Sequence, residues 1–351
     1  MDIKKSDYIE QLEFCRINNF SNKVLIIDGQ PGCGKTLFSQ ICSSFERLEI
    51  FNYAFEIEFI CKLNYFKKLD DSTCSSLIKM FLDHKMYQTM MGRETNFRFN
   101  DLSGVFNHSD PFEYLKRIFS KGDREVPDLI KSKNPILNLT CHDLFCHSSI
   151  LFSSLKERLV FFEIIRHPLY MLIQQHINEI ELNNNPRDVQ LKIFYNNQEI
   201  PYFAHDFRDQ YVKLSAIDRA VLVIKKMTER NNAEREKIIK KNTNYLLIPF
   251  ENFVLNPESY LNNICKLLNT KFGKKTIKVL KKNKIPRKTI EDGIDLPVYR
   301  RYGWKPAANK TSFEIEKNKR VKYLVDNNAS QESIDIIYDL SNQYEQQYPW
   351  F

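Results

Sequence analysis

The residues best equipped for chemistry stand close together: Gly29, Gly34, Lys35 and Thr36, in the run GQPGCGKT that follows VLIID. Nine glycines occur in 351 residues, and three of them, Gly29, Gly32 and Gly34, fall within this run. A loop that wraps its N–H groups around phosphate oxygens needs such positions, because side chains would block the approach. The N-terminus of the helix expected next adds partial positive charge. Lys35 supplies a mobile cation for terminal phosphate or sulfate oxygens, and Thr36 a hydroxyl for a phosphate or for Mg²⁺. Pro31, Cys33 and Leu37 complete the phosphate-binding stretch. Read alone, G-x-x-x-x-G-K-T announces ATP or GTP. Chemistry on a γ-phosphate also wants a second strand ending in an aspartate that holds Mg²⁺. Glu163, inside LVFFEII, and Asp143, three residues past Thr140, fit that position poorly.

The elements that must carry this loop are legible as apolar runs. Val24–Asp28 reads as a strand buried in a parallel sheet, and Ile136–Thr140, Leu159–Ile165 and Tyr245–Pro249 read likewise. From Thr36 to Leu48, apolar Leu37, Ile41, Phe45 and Leu48 recur at helical spacing. Helical patterns also span Pro168–Ile180 and Ile217–Lys241. This alternation predicts an α/β fold with a mostly parallel sheet. LKIFY and IPYFAHDF, either side of Asn196-Asn197-Gln198, predict an inserted β-hairpin. Asn256-Pro257 reads as an N-cap with proline at the first helical position, opening a helix to about Leu268. The tail from Ser312 reads as two helices with an aromatic end.

Composition bounds the rest. The chain is 42% apolar and 27% charged, which is globular rather than disordered. A net charge of +8 suits an anionic small ligand or acidic acceptor and is too diffuse to argue for nucleic acid. Eight cysteines without C-x-x-C or zinc spacing read as reduced thiols of a cytoplasmic protein. No leader-like N-terminus and no membrane-length apolar run is present. Nine of the eighteen residues from Lys271 to Lys288 are Lys or Arg, read as a solvated helix face and basic loop, with a polyanion-facing surface as the alternative. MMGRETNFRFNDLSGVF gathers Arg93, Glu94, Arg98 and Asp101 among aromatics. It reads equally as an acceptor, sugar or subunit contact and as a helix-end cluster of ion pairs.

Two further segments carry a resemblance. RLVFFEIIRHPLYMLIQQH, Arg158–His176, resembles the sulfotransferase segment in which a buried strand ends in Arg-x-Pro and leads into a helix. YLLIPFENFVLNPESYLNNICKLLNTKF, Tyr245–Phe272, is similar to that family's strand, acidic-polar pair, N-P helix start and I-C-x-x-L helix. The opening loop resembles the family's G-x-P-[KR]-S-G-T-T in Gly29, Pro31, Gly34 and Thr36. Gly32 stands where the family has its basic residue, and Lys35 where it has its first threonine. The resemblance runs through most of Val24–Leu268 in order.

It implies a 3′-phosphoadenosine 5′-phosphosulfate (PAPS) donor with no metal requirement. The loop and Lys35 would hold the 5′-phosphosulfate, with Lys35 stabilising the leaving phosphate. Arg166 would bind the 3′-phosphate, with Gln174 at the family's serine position. His142 would be the base, although Thr140 replaces the family's nearby lysine; Glu56 and Glu58 are alternatives. IPRKTIEDGIDLPVYRRYGWKP resembles the family's late basic loop, offering Arg287, Lys288, Arg300, Arg301, Tyr302 and Gly303, with Trp304 as a stacking or core residue. The expected fold is a three-layer P-loop α/β domain spanning 1–351, its core at about 20–270. Insertions fall at about 50–130 and 185–210, and a basic loop and helices follow from 271. The expected activity is sulfuryl transfer to a hydroxyl or amine, with a carbohydrate or small metabolite as acceptor. An ATP-dependent small-molecule kinase, or a nucleotide-binding module without catalysis, is the alternative.

Overall fold

The computed structural model describes residues 12–182, 185, 190–296, 300–301 and 312–350. Five strands, β1 (Val24–Asp28), β2 (Asn52–Tyr53), β3 (Leu137–Thr140), β4 (Leu159–Ile165) and β7 (Tyr245–Pro249), form a parallel sheet in the order β2-β3-β1-β4-β7. Helices flank it on both faces. Alternate side chains of β1 divide the core: Leu25 and Ile27 pack with Leu37, Phe38 and Ile41 of helix Lys35–Cys42 and with Ile217, Val221 and Ile224 of helix Ala216–Ile239. Val24 and Ile26 pack on the other side with Ile57 and Cys61 of helix Phe55–Tyr65 and Ile78 and Leu82 of helix Asp71–Met90. Both faces of the strand are covered, which is why it is a continuous apolar run rather than an alternating one.

β5 (Lys192–Tyr195) and β6 (Gln198–Pro201) form the inserted antiparallel hairpin. Its turn residues Asn196 and Asn197 both have positive φ, +48° and +58°, which asparagine tolerates better than most residues. The C-terminal region supplies helices Phe313–Asp326 and Gln331–Gln347.

Several boundaries shift by one or two residues from the sequence reading, β3 starting at Leu137 rather than Ile136 among them, and three differences have a visible cause. The first helix stops at Cys42 instead of running to Leu48, because the chain turns so that Leu48 can bridge Ile136 beside the sheet. Asn256 closes helix Phe250–Leu255 rather than capping the next one, which starts after Pro257 as Glu258–Leu268. β2 has two residues, too few to leave a pattern. Among the described residues no helix is long and apolar enough to cross a membrane.

Order in the sheet decides where a ligand can sit. β1 connects outward to β2, whereas β4 connects the opposite way to β7, so the β1/β4 boundary is a topological switch point. Crevices outside the carboxyl ends of such strands are where open α/β sheets bind ligands.

Candidate active site

The loop after β1 opens into a cleft of about 980 Å³. Gly29 has no room for a side chain: a Cβ there would lie 2.3 Å from the Ile164 carbonyl oxygen and 2.6 Å from Cys33 Sγ. Gly34 has φ +93°, and a Cβ would lie 2.3 Å from Phe250 Cε2. Backbone therefore presses against β4 and against the start of the helix after β7. Pro31, Gly32, Gly34, Lys35, Thr36 and Leu37 line the cleft, while Gly29 and the fully buried Cys33 are not on its wall.

Lys35 is buried and folds back onto its own loop, donating to the Gly29 carbonyl at 2.7 Å and the Gln30 carbonyl at 3.3 Å. Burial works against its ammonium, but the surrounding acidic groups, Asp143, Asp28 and Glu58 among them, outweigh it and hold the pKa above the ordinary lysine value. Asp28 ends β1 with its carboxylate fully buried; Oδ2 accepts the backbone N–H groups of Leu144 and Phe145 at 2.9 and 2.7 Å. That contact fixes the segment following β3, and so delivers His142 and Asp143 to the cleft.

His142 is bound twice by one oxygen. Glu58 Oε1 accepts its backbone N–H at 2.9 Å and lies 3.0 Å from its Nδ1. A carboxylate only accepts, so the proton belongs on Nδ1 and Nε2 is left as the basic nitrogen. The imidazole lies against both Tyr53 and Phe55, ring centroids 5.5 and 5.4 Å away, in a cluster of three rings. The other Glu58 oxygen takes Lys62 Nζ at 3.2 Å, and that ammonium also lies 4.5 Å from the Tyr202 ring centroid. Glu58 and Lys62 are both nearly inaccessible, and both line the cleft with His142. Glu56, the other carboxylate considered, is exposed and not on the cleft wall.

Asp143 lies beside Lys35 with φ +50° and an Oδ1 that has no hydrogen-bond partner among the described residues. Burial, opposed by Lys35 and reinforced by Asp28, pushes its pKa up to about 7. The native state thus binds more protons than the unfolded chain between the ordinary value of 3.8 and about 7, and stability falls as pH rises across that interval. Asp143→Asn removes the penalty. The expected gain in Tm is larger at about pH 8 than at about pH 5, and thermal melts at the two pH values read the difference. Glu163, the second aspartate-like candidate, is buried in β4 and held by Arg235 at 2.8 Å, off the cleft.

The opposite wall is cationic. Arg166, at the end of β4, donates to the Gly32 carbonyl at 2.8 Å, pairs with Glu251 at 3.7 Å and stacks over Phe250. Gln174 lines the same wall, its Cβ 3.5 Å from where a Gly32 Cβ would sit. Arg287, Arg301 and Arg320 also line the cleft, and Arg301 lies 3.9 Å from Glu181. Arg300 does not: it is exposed and bound bidentately by Asp295 at 2.6 and 2.7 Å. Tyr302, Gly303 and Trp304 lie outside the described residues. In all, seven Lys and Arg side chains face four carboxylates on the cleft wall, an excess suited to a polyanionic ligand.

Lys62 and Arg320 had no motif to mark them, and Glu251 stood in the acidic-polar pair after the last strand run without a role assigned to it. Lys62 alone left a usable signal, standing four residues after Glu58 on one helix face.

No family model matches the chain, and no curated protein matches it. Among solved structures the chain is similar to the sulfotransferase domain of the olefin synthase from Synechococcus PCC 7002, at 12% identity and TM-score 0.39 over 90% of this chain and 98% of that one. It is similar to the sulfotransferase domain of the curacin biosynthetic pathway, at 12% identity and TM-score 0.39 over 88% and 99%. A third is the sulfotransferase STF9 from Mycobacterium avium, at 13% identity and TM-score 0.37 over 89% and 78%.

Proposed function

We propose that this chain is a PAPS-dependent sulfotransferase acting on a hydroxyl or amine acceptor. The observation that carries the reading is the meeting, in one cleft, of a side-chain-free phosphate loop, a wall of arginines and a histidine whose free nitrogen is fixed by a buried carboxylate. The donor carries two anionic groups, and the cleft wall carries Lys35 and Lys62 together with Arg98, Arg166, Arg287, Arg301 and Arg320.

The residues divide the work as follows. The loop from Gly29 to Thr36 holds the 5′-phosphosulfate through backbone N–H groups, its course set by glycines that pack against Ile164, Met171 and Phe250 where side chains would not fit. Arg166 and Gln174, both on the cleft wall, take the 3′-phosphate. His142 Nε2 receives the acceptor proton as the new bond from acceptor to sulfur forms. The bond from sulfur to the bridging oxygen breaks, its electron pair leaves with adenosine 3′,5′-bisphosphate, and Lys35 stabilises that developing charge. Lys35 reaches it by exchanging the Gly29 and Gln30 carbonyls for the donor. The side chains on the acceptor side, Tyr53, Phe55 and Phe99 with Asn100 and Asp101, suit a ring-bearing acceptor such as a carbohydrate.

A second reading rests on one observation, the nearness of Asp143 to Lys35 in a G-K-T loop. Thr36 and Asp143 are oxygen ligands that a phosphate-bound Mg²⁺ uses in an ATP-dependent kinase. Equilibrium titrations separate the two. On the sulfotransferase reading adenosine 3′,5′-bisphosphate binds more tightly than ATP with Mg²⁺, and Arg166→Ala removes that preference. Tighter ATP binding, unaffected by Arg166→Ala, selects the kinase.

A further inference from the structure

Three arginines from distant parts of the chain meet where the cleft passes the ends of β4 and β7. Arg166 follows β4, Arg287 follows helix Lys274–Lys282, and Arg320 lies within helix Phe313–Asp326. Their guanidinium groups share two rings: Arg320 is 4.2 Å and Arg166 5.3 Å from the Tyr170 centroid, and Arg166 is 4.5 Å and Arg287 5.5 Å from that of Phe250. All three line the cleft.

Arg320 is the unexpected member. It is only 6% exposed, and its fixed partners are weak: the Leu169 carbonyl at 3.3 Å and Glu316 at 3.6 Å. Its Nε has no hydrogen-bond partner among the described residues. Burial and then the charge of Arg166 lower its pKa, so the two cations stand close enough to repel. The balancing carboxylates, Glu251, Glu291 and Glu316, are not on the cleft wall. The three arginines line the cleft, and the carboxylates that balance them do not.

The C-terminal helices lock this arrangement from the rear. Tyr344 donates to Glu251 at 2.7 Å, and Glu251 is the partner of Arg166. Glu345 holds the buried His167, the neighbour of Arg166, at 3.0 Å and is itself held by Lys317 at 2.8 Å. An ordered cluster of like charges facing an open cleft is relieved by an anion with more than one charge, gripped by several N–H donors at once.

We propose that Arg320 determines specificity for a phosphate monoester dianion at this end of the cleft, with Arg166 and Arg287 as its partners and the C-terminal helices as its support. Resting on the donor reading above, that dianion is the 3′-phosphate of the nucleotide. The C-terminal helices are then part of donor recognition rather than a cover for the core alone.

Calorimetric titration of the full chain with adenosine 3′,5′-bisphosphate and with adenosine 5′-monophosphate tests this. The wild type is expected to prefer the bisphosphate, and Arg320→Lys and Arg320→Gln each to weaken it about tenfold or more, the scale of a lost charge-assisted contact. Binding of the monophosphate stays within about twofold, because the phosphate loop is untouched. The exposed Lys322→Ala, on the same helix, changes neither. Two Arg320 variants are used so that poor folding of one leaves the comparison intact. A wild-type preference that survives in both, or a parallel loss for both nucleotides, overturns the role of Arg320 while leaving the donor reading standing. A wild type that binds both nucleotides alike overturns the donor reading and this inference together.

Discussion

Lys35→Met is expected to lower kcat/KM for transfer by roughly 10³-fold, the scale of removing one preorganised group that stabilises transition-state charge. The side chain sits at the one point where the loop, the end of β1 and the segment after β3 converge. It donates to the Gly29 and Gln30 carbonyls and is surrounded by Asp28, Asp143 and Glu58, so it stays protonated through the neutral range. Two effects of the substitution compete. Loss of the cation leaves the carboxylates uncompensated and should lower stability; yet burial already pushes Asp28 and Asp143 toward the neutral form, which limits that cost. Their pKa values rise further without Lys35, so the loss in Tm should grow from acid to mildly alkaline pH. The catalytic loss has no such relief. Arg in place of Lys is not expected to rescue, since the planar fork is too large for a loop in which a Gly34 Cβ would meet Phe250 at 2.3 Å. Product formation measured beside thermal melts checks both halves; a variant that retains near-wild-type turnover would remove Lys35 from the chemistry.

What was readable in advance follows the range of the interactions involved. β1, β4 and β7 begin and end where their apolar runs do, because strands buried on both faces need continuous apolar sequence. The glycine loop was readable because its parts are contiguous: glycine, lysine and threonine need no fold to bring them together. β2 was not, since Asn52 and Tyr53 pair with Leu139 and Thr140 only because β3 is already in place. The same holds for the arginine wall. Arg320 comes from a helix that, as sequence, resembles any charged surface helix, and its burial depends on Tyr170 and on the helix that Tyr170 opens. Asp143 looked too far beyond its strand to matter, yet the two backbone N–H bonds from Leu144 and Phe145 to Asp28 turn that segment back toward Lys35. Arg300 and Arg301 illustrate the converse limit. Adjacent in sequence and equal in chemistry, one is spent on Asp295 outside the cleft and the other lines it.

On the proposed reading, the choice between histidine and glutamate as base, open in the sequence, becomes a division of labour between His142 and Glu58. His142→Ala is expected to lower kcat by about 10²- to 10⁴-fold, the range of a general base, with nucleotide affinity unchanged. Glu58→Gln should cost less, about tenfold, for a geometric reason. Oε1 of Glu58 accepts both the backbone N–H and Nδ1 of His142, so the amide oxygen of the variant is held in the same place and the tautomer is preserved. The imidazolium loses its negative partner, and the NH2 that replaces Oε2 faces the Lys62 ammonium, so Lys62 loses its acceptor too and some stability is lost with it. Glu58→Ala goes further, since it removes the contact to His142 as well and should destabilise the fold by about 3–5 kcal/mol. The pH dependence separates charge from packing. Burial pushes Glu58 up, but the hydrogen bond and charge of His142, with Lys62, outweigh it and hold its pKa below the ordinary 4.5. Its contribution to stability is therefore present above that value and lost as pH falls through the depressed one. Glu58→Gln should flatten this acid limb of the Tm profile. Equal losses of kcat in Glu58→Gln and His142→Ala would mean instead that the carboxylate itself takes the proton.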